Sequence, residues 1–192
     1  MYKRVKECYQ PKYNPDKWNK NDNLRRSHNC YSYFLNDISE ELIDIFEGES
    51  NQNQKILNPQ PGHYCGMTKY VNIEDTTCES INKRVLCDNP DIFIISDHEE
   101  CPKNYYKGGL RVNEKDMYHF YRQDNDGTWS HKDGGRNATN KDQYGNIIKD
   151  IKEMETSKYK TFCNYYCVPN NSYKKTNMGR NKRVDGSSWY KN

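Results

Sequence analysis

The 192-residue chain is polar and almost neutral: 33% of its residues are hydrophobic, mean hydropathy is −1.28, and 30 basic against 27 acidic residues leave a formal charge of +3. A charge this small gives no reason to expect nucleic-acid binding. The chain has no run of about 18 apolar residues, so no membrane span is expected, and no apolar signal-peptide core follows Met1. We therefore expect a single domain, cytoplasmic or virion-associated, whose 17 tyrosines supply much of the core.

The first third of the chain predicts an arm followed by helix. Residues 1–26 carry scattered charges and two prolines, which predicts an extended N-terminal arm anchored by Trp18. Apolar residues then recur every three to four positions, which predicts helix from Cys30 to about residue 37 and again over residues 38–46. Ser27 or Asn29 is the expected N-cap, and either one places Cys30 in the first helical turn.

The remaining chain predicts mainly strands. Residues 48–60 read as a solvated loop that ends in a turn at Pro61 and Gly62. Residues 63–101 are irregular, hold four of the eight cysteines and include one apolar run, residues 92–95, which predicts a buried strand. Further strands are predicted at 105–112, 118–123, 128–132 and 159–168, with a loop at 134–140. Residues 169–192 are polar and basic and predict a flexible tail.

Cys30 is a candidate nucleophile because of its position at a helix start. A helix N-terminus lowers the pKa of a thiol, and an imidazole brought beside it can take its proton. His119 and His131 are the candidate partners, since both lie on one predicted hairpin.

The length of the hairpin loop decides whether the two histidines share a face. A two-residue turn at Asp126 and Gly127 would point His131 away from His119. A three-residue loop with Gly127 in the left-handed conformation would set His131 opposite Tyr121, with His119 as its diagonal neighbour. We expect the three-residue loop, with both histidines facing the helix that carries Cys30, because a polar residue beside Trp129 is otherwise hard to place.

The order of a cysteine on a helix, a histidine on a strand and a polar residue on the next strand resembles the papain-like cysteine hydrolases of NlpC type. His131 follows His119 by 12 residues, and the turn at Pro61 and Gly62 also resembles that family. The sequence differs in having Asn29-Cys30-Tyr31 where the family usually has Asp-Cys-Ser. The stretches around Cys30, around His119 and His131, and at residues 162–169 also resemble an uncharacterised family of bacteria and large DNA viruses.

The resemblance implies an α+β fold over residues 27–168, with an insertion at about 63–101 and the cysteine helix packed on a small, antiparallel, partly barrel-like sheet. It implies a thiol hydrolase in which Cys30 attacks an amide or ester, His119 transfers the proton and His131 orients His119. Asn137, Asn140 or Asp142 remain alternatives for the third role. The implied partner is a peptide, isopeptide or peptidoglycan-like substrate, with no cofactor, and the oligomeric state stays open.

A non-enzymatic alternative rests on the other cysteines. Six remain besides Cys8 and Cys30, an even number that suits three disulfides in a binding protein or a virion structural protein. Zinc is not favoured, because no pair of them has the Cys-x-x-Cys spacing. In either case Trp129 and Tyr121 are expected to pack in the core, and His28 is expected to face solvent.

Overall fold

The computed structural model describes residues 10–50, 59–67 and 71–170, and these form an α+β fold built on one antiparallel sheet. The six strands described follow the spatial order β1-β6-β2-β3-β4-β5. Their bounds are β1 Phe93–Ile95, β2 Tyr105–Asn113, β3 Met117–Gln123, β4 Trp129–Lys132, β5 Ala138–Thr139 and β6 Thr161–Pro169. The sheet is open, with β1 and β5 at its two edges, so the α+β class is confirmed while a barrel-like closure is not seen within these ranges.

The helices described lie before and beside the sheet. Their bounds are α1 Asp16–Asn19, α2 Asp22–Ser27, α3 Cys30–Phe34, α4 Glu40–Ser50 and α5 Cys78–Asp88, with one 3-10 turn at Ile73–Asp75. Part of the predicted extended arm is therefore helical. Asn21 explains this locally, because its side chain accepts a hydrogen bond from the Leu24 backbone and caps α2. Trp18 is 1% exposed and anchors this region, as predicted.

Helix α3 begins where the sequence predicts. Asn29 is its N-cap, and its side chain accepts hydrogen bonds from the backbone N–H groups of Tyr31 and Ser32. The helix is shorter than predicted, because the chain turns into the left-handed region at Asn36, with φ of 50°, before α4 begins. Phe34 is fully buried and lies so close to Gly108 of β2 that any side chain there would collide with it.

The β3–β4 hairpin has the predicted three-residue loop. The Asp124 and Thr128 backbones close it through an N–H···O bond of 2.8 Å, and Gly127 takes a left-handed φ of 85°. Tyr121 is directly opposite His131 in the resulting register. The prediction that His119 and His131 share one face is confirmed by their direct hydrogen bond.

The segment at residues 63–101 is tied down by disulfides. Among the described cysteines, six form the bridges Cys65–Cys87, Cys78–Cys163 and Cys101–Cys167. Helix α5 was not predicted in this segment. Its N-cap is Thr77, whose hydroxyl accepts a hydrogen bond from the Ser80 backbone N–H, and the helix buries Ile81 and Val85 against the sheet.

Two further expectations are wrong. The apolar run at 92–95 forms an edge strand rather than a buried one, and Phe93 and Ile94 are 40% and 44% exposed. His28 is fully buried rather than solvent-facing: its ring lies near Trp18, and its Nε2 accepts a hydrogen bond of 3.0 Å from the Ser39 backbone. The predicted tail is outside the described residues from position 171 onward.

Candidate functional site

The two histidines of the hairpin form a direct pair. His119 Nε2 and His131 Nδ1 are 2.7 Å apart, and the rings are nearly perpendicular. His119 is 1% exposed and stacks face to face on Tyr159, with ring centroids 4.5 Å apart. Its ring also contacts Tyr121, which lies two residues further along β3 on the same face.

The hydrogen bonds fix which nitrogen carries each proton. His131 Nε2 is 3.0 Å from the Lys141 carbonyl oxygen, which can only accept, so Nε2 of His131 is protonated. In the neutral ring Nδ1 of His131 is then the acceptor, and His119 must donate to it from Nε2. A chain of two hydrogen bonds therefore links His119 through His131 to the Lys141 backbone.

Burial keeps both rings neutral. It lowers the pKa of His119 well below the usual histidine range, and the neighbouring His131 and Lys158 act in the same direction. Burial also lowers the pKa of His131, against the opposing effects of the Lys141 carbonyl and Asp133. The direct ring-to-ring hydrogen bond requires that at least one of the two imidazoles, the acceptor, is neutral.

Cys30 has the properties of an unreactive thiol. It is the free cysteine among the described residues and is 7% exposed. Burial raises its pKa to about 11, and the nearby Phe120 backbone only partly offsets this. The helix start was expected to do the reverse, but α3 has only five residues, and loss of solvent is the larger effect. At neutral pH the thiol is therefore protonated in this conformation.

The histidine pair and the rings of α3 lie on opposite faces of β3. Phe120 packs against Tyr31 and Phe34 of α3, with ring centroids 5.2 and 4.8 Å away. Side chains alternate along a strand, so the adjacent His119 projects to the other face, where it meets Tyr159. The shared face of the two histidines is thus confirmed, but it is not the face covered by the α3 rings. The described structure contains no hydrogen bond from Cys30 to either histidine, and the catalytic roles of all three stay predictions.

On the α3 side of β4, Lys132 is a buried hub. It is 0% exposed, and its ammonium donates to the backbone carbonyls of Arg25, His28 and Gly134. Three acceptors match the three protons of an ammonium group. Burial lowers the pKa of Lys132 to about 8. This side chain holds the end of α2 and the loop after β4 against the sheet.

Arg111 of β2 is a second buried cation that binds backbone carbonyls, and it lies on the face of the sheet that carries His119. It is 5% exposed, and its guanidinium donates to the carbonyl oxygens of Ile151, Lys152, Tyr159 and Lys160. Arginine carries five N–H donors in a fixed plane, which suits several carbonyls of one irregular segment. These hydrogen bonds fix the segment between β5 and β6 to β2. In the described structure, that segment has only one isolated β-bridge, between Lys141 and Ile147.

Asp88 joins three further elements. Its carboxylate accepts from the Tyr31 hydroxyl and the Gly62 backbone N–H, both at 2.7 Å, and from the Cys65 N–H at 2.9 Å. It directly follows Cys87, whose disulfide also reaches Cys65. The turn at residues 61–66 is thus secured to α5 by a disulfide and by a buried carboxylate.

None of these three buried charged residues was predicted from the sequence. Lys132 and Arg111 stand in strands whose two faces are both covered, so a charged residue could not be assigned to solvent from alternation alone. Lys132 shares the strand face of Ser130, which is also buried and hydrogen-bonds to the Tyr33 hydroxyl at 2.7 Å, but the sequence alone shows neither burial.

The described residues contain no group of three or more His, Cys, Asp or Glu side chains placed to hold a metal ion. Within the same ranges, no helix is both long and apolar enough to cross a membrane.

Comparison with known proteins points away from the expected enzyme class. No protein-family model matches the chain, and no solved structure matches it. A curated protein described as insoluble matrix shell protein 1, from Ruditapes philippinarum, is 28% identical over 160 residues. The aligned part covers 82% of this chain and 89% of that protein.

These findings correct the resemblance drawn from the sequence. The similarity to papain-like cysteine hydrolases of NlpC type is wrong, and so are the similarity to an uncharacterised family of bacteria and large DNA viruses and the description as a hydrolase or protease. The curated match is to insoluble matrix shell protein 1, and no protein-family model matches. The cysteine, histidine and strand order that suggested it is short enough to arise in an unrelated α+β fold. The chain is similar to a protein described as part of an insoluble matrix.

Proposed function

We propose that this protein is a non-enzymatic, disulfide-stabilised structural component of an insoluble extracellular matrix. The similarity to insoluble matrix shell protein 1 carries this proposal, because it spans most of both chains. It favours a matrix role over the virion role that the sequence also allowed.

The disulfides support an extracellular setting. All six bonded cysteines join segments distant in sequence, with separations of 22, 66 and 85 residues. Disulfides of this kind persist in oxidising compartments and are rare in the cytosol. They also fix in place a chain that is only 33% hydrophobic and has little apolar surface to bury.

The buried polar hubs support a structural role. Lys132, Arg111 and Asp88 each use a charged group to hold backbone atoms of irregular segments, and none is directed at an open cleft by the contacts it makes. Cys30, the candidate nucleophile, is buried and protonated. Buried charged side chains that bind backbone atoms in this way stabilise one conformation of the irregular segments.

Fractionation of the organism that makes the protein tests the proposal. Extracellular material is extracted with salt and detergent, and the insoluble residue is analysed by quantitative peptide mass spectrometry. We expect the protein to be enriched in that residue relative to the soluble extracellular and cytosolic fractions. Recovery mainly from the cytosolic soluble fraction would contradict the proposal. A cytosolic enzyme spiked in before extraction serves as the control for trapping.

A further inference from the structure

The His119–His131 pair occupies a position from which it can control one segment of the fold. The segment at residues 138–148 begins with β5 and ends at Ile148. His131 Nε2 donates to the Lys141 carbonyl in its middle, and the Trp129 N–H donates to the Ile148 carbonyl at its end, at 2.8 Å. Ile148 is 2% exposed and belongs to the cluster on that face of the sheet.

Proton uptake by this pair has two distinct steps. One added proton can be shared. A protonated His131 can donate from Nδ1 to Nε2 of a neutral His119, provided that His119 has shifted its own proton from Nε2 to Nδ1. A second proton cannot be accommodated, since Nε2 of His119 and Nδ1 of His131 would both carry hydrogens across a gap of 2.7 Å. The pair must separate before both rings are charged.

The charged groups around the pair do little to stabilise this added positive charge. Asp133 is a carboxylate that favours protonation of His131, but it already pairs with the Lys158 ammonium at 3.4 Å and the Tyr159 hydroxyl at 3.3 Å. Lys158 itself opposes protonation of both rings.

The neighbouring elements add cations and neutral groups. On β2, Arg111 faces His119 in the register, and its guanidinium is occupied by four carbonyls. Tyr121 and the thiol of Cys30 are neutral at physiological pH, because burial raises the pKa of each. Lys132 lies next to His131 in β4, with its side chain on the opposite face.

We propose that the His119–His131 pair is an acid-operated latch: when both rings become protonated they separate, and the segment at residues 138–148 is released from the sheet. The release exposes Ile148 and the Trp129 edge of β4, while the disulfide-bonded body of the sheet stays folded. A matrix component with such a latch would change its exposed surface when its surroundings become acid. The latch stands on this geometry and does not require the matrix role.

The direction of the pH effect follows from linkage. Each histidine has a lower pKa in the closed form than in the released form, so the released form binds more protons. The stability of the closed form is complete above the ordinary histidine pKa of about 6.5 and decreases as the pH falls below it. With two protons taken up, the opening constant rises by about 100-fold per pH unit, and with one proton by about tenfold.

Amide hydrogen exchange measures the opening directly. The reporters are the N–H groups of Trp129 and Ile148, whose acceptors are the Ile148 and Asn140 carbonyls. The reference amides are those of Tyr106 and Val168, which are paired in the central ladder. After correction for intrinsic exchange rates, we expect the reporters to lose protection between pH 6.5 and 5 with a slope near two protons, and the reference amides to keep theirs.

A variant pair makes the test specific. His119→Gln keeps a side-chain N–H donor for His131 but removes one titrating ring, so the slope should fall to about one proton. His98→Gln removes an exposed histidine next to Asp97 and should leave the two-proton slope unchanged. Protection that is independent of pH in the wild type, or an equal slope in wild type and His119→Gln, would overturn the latch.

A second measurement covers the case in which His119→Gln does not fold. Nitrogen NMR of the wild-type imidazoles follows each ring as the pH is lowered. We expect His119 and His131 to become charged over the same pH range in which the reporter amides lose protection. Charging of both rings while Trp129 and Ile148 stay protected would refute the proposal.

Discussion

Cys78, the first residue of α5, is bonded to Cys163 near the start of β6, although 85 residues separate them in sequence; their Cα atoms are 5.4 Å apart. The bridge fastens α5 to the strand next to the centre of the sheet. Cys101–Cys167 fastens the same strand to the segment before β2. Strand β6 is therefore the element to which the long middle segment of the chain is attached.

Removing the longest bridge should cost the most stability. In the chain-entropy description, a closed loop of 85 residues contributes about 4.6 kcal/mol and one of 22 residues about 3.4 kcal/mol. We predict that Cys78→Ala/Cys163→Ala lowers the free energy of unfolding more than Cys65→Ala/Cys87→Ala. Guanidinium unfolding curves of the two double variants and the wild type provide the comparison. Equal stability of the Cys78/Cys163 variant and wild type would show that the bridge does not constrain the chain.

Cys30 should be slow to react with alkylating agents. Burial raises its pKa from 9.0 to about 11, which reduces the thiolate fraction at neutral pH by about 100-fold, and the thiol is also shielded from reagents. We predict that iodoacetamide modifies Cys30 in the native protein at least about 100-fold more slowly than a small model thiol. Peptide mapping follows Cys30 alone, and the denatured protein gives the unshielded rate. Native Cys30 reacting faster than the model thiol would instead support its predicted chemical role.

Lys132 should be essential for stability despite its charge. Lys132→Met removes the donor to three backbone carbonyls, one buried and two part-buried, and leaving such groups unpaired costs about 3 kcal/mol. Lys103→Met is the matched control, since Lys103 is exposed and the same change there should alter stability little. Urea unfolding at pH 7 compares the two variants with wild type. A Lys132→Met protein as stable as the control would mean that the three carbonyls find other partners.

Two glycine substitutions should act in opposite directions. A Cβ at Gly108 would come within 2.3 Å of the Phe34 ring, so Gly108→Ala should destabilise the fold by about 1–3 kcal/mol. At Gly48 in α4 a Cβ would meet nothing within 4 Å, so Gly48→Ala should stabilise by about 0.5–1 kcal/mol through helix propensity. Thermal unfolding of both variants gives the sign. Stabilisation by Gly108→Ala would show that α3 does not pack on β2 as described.

The hairpin could be predicted from sequence because its information is local. Alternating residues marked β3 and β4, and Gly127 could supply the left-handed residue of a three-residue loop. The cap at Asn29 was equally local, because its side chain needs only the next backbone N–H groups. The local pattern allowed His119 and His131 to share a face, and the difficulty of placing a polar residue beside Trp129 favoured that arrangement over the two-residue turn.

The missed features depend on contacts distant in sequence. Helix α5 has few apolar positions, and Ile81 and Val85 are buried only because a disulfide and the sheet meet them. Which of several possible disulfide pairings forms cannot be read from spacing. His28 was expected at the surface because nothing near it in sequence shows that Trp18 and Ser39 enclose it.

The resemblance to a hydrolase family failed for a related reason. A cysteine at a helix start is reactive only where it keeps access to solvent or a base, and the burial of Cys30 reverses the effect of its position. The order of residues along the chain predicted the hairpin correctly, but it also suggested a resemblance to papain-like hydrolases that the comparisons contradict.

Disulfide mapping of the protein isolated from its natural source is the most direct test of the structural role. Free thiols are blocked during extraction, and the protein is then digested without reduction. We predict linked peptides for Cys65 with Cys87, Cys78 with Cys163 and Cys101 with Cys167, and a blocked thiol only at Cys30 among these seven cysteines. Blocked free thiols at the six bonded positions would contradict a disulfide-stabilised matrix protein.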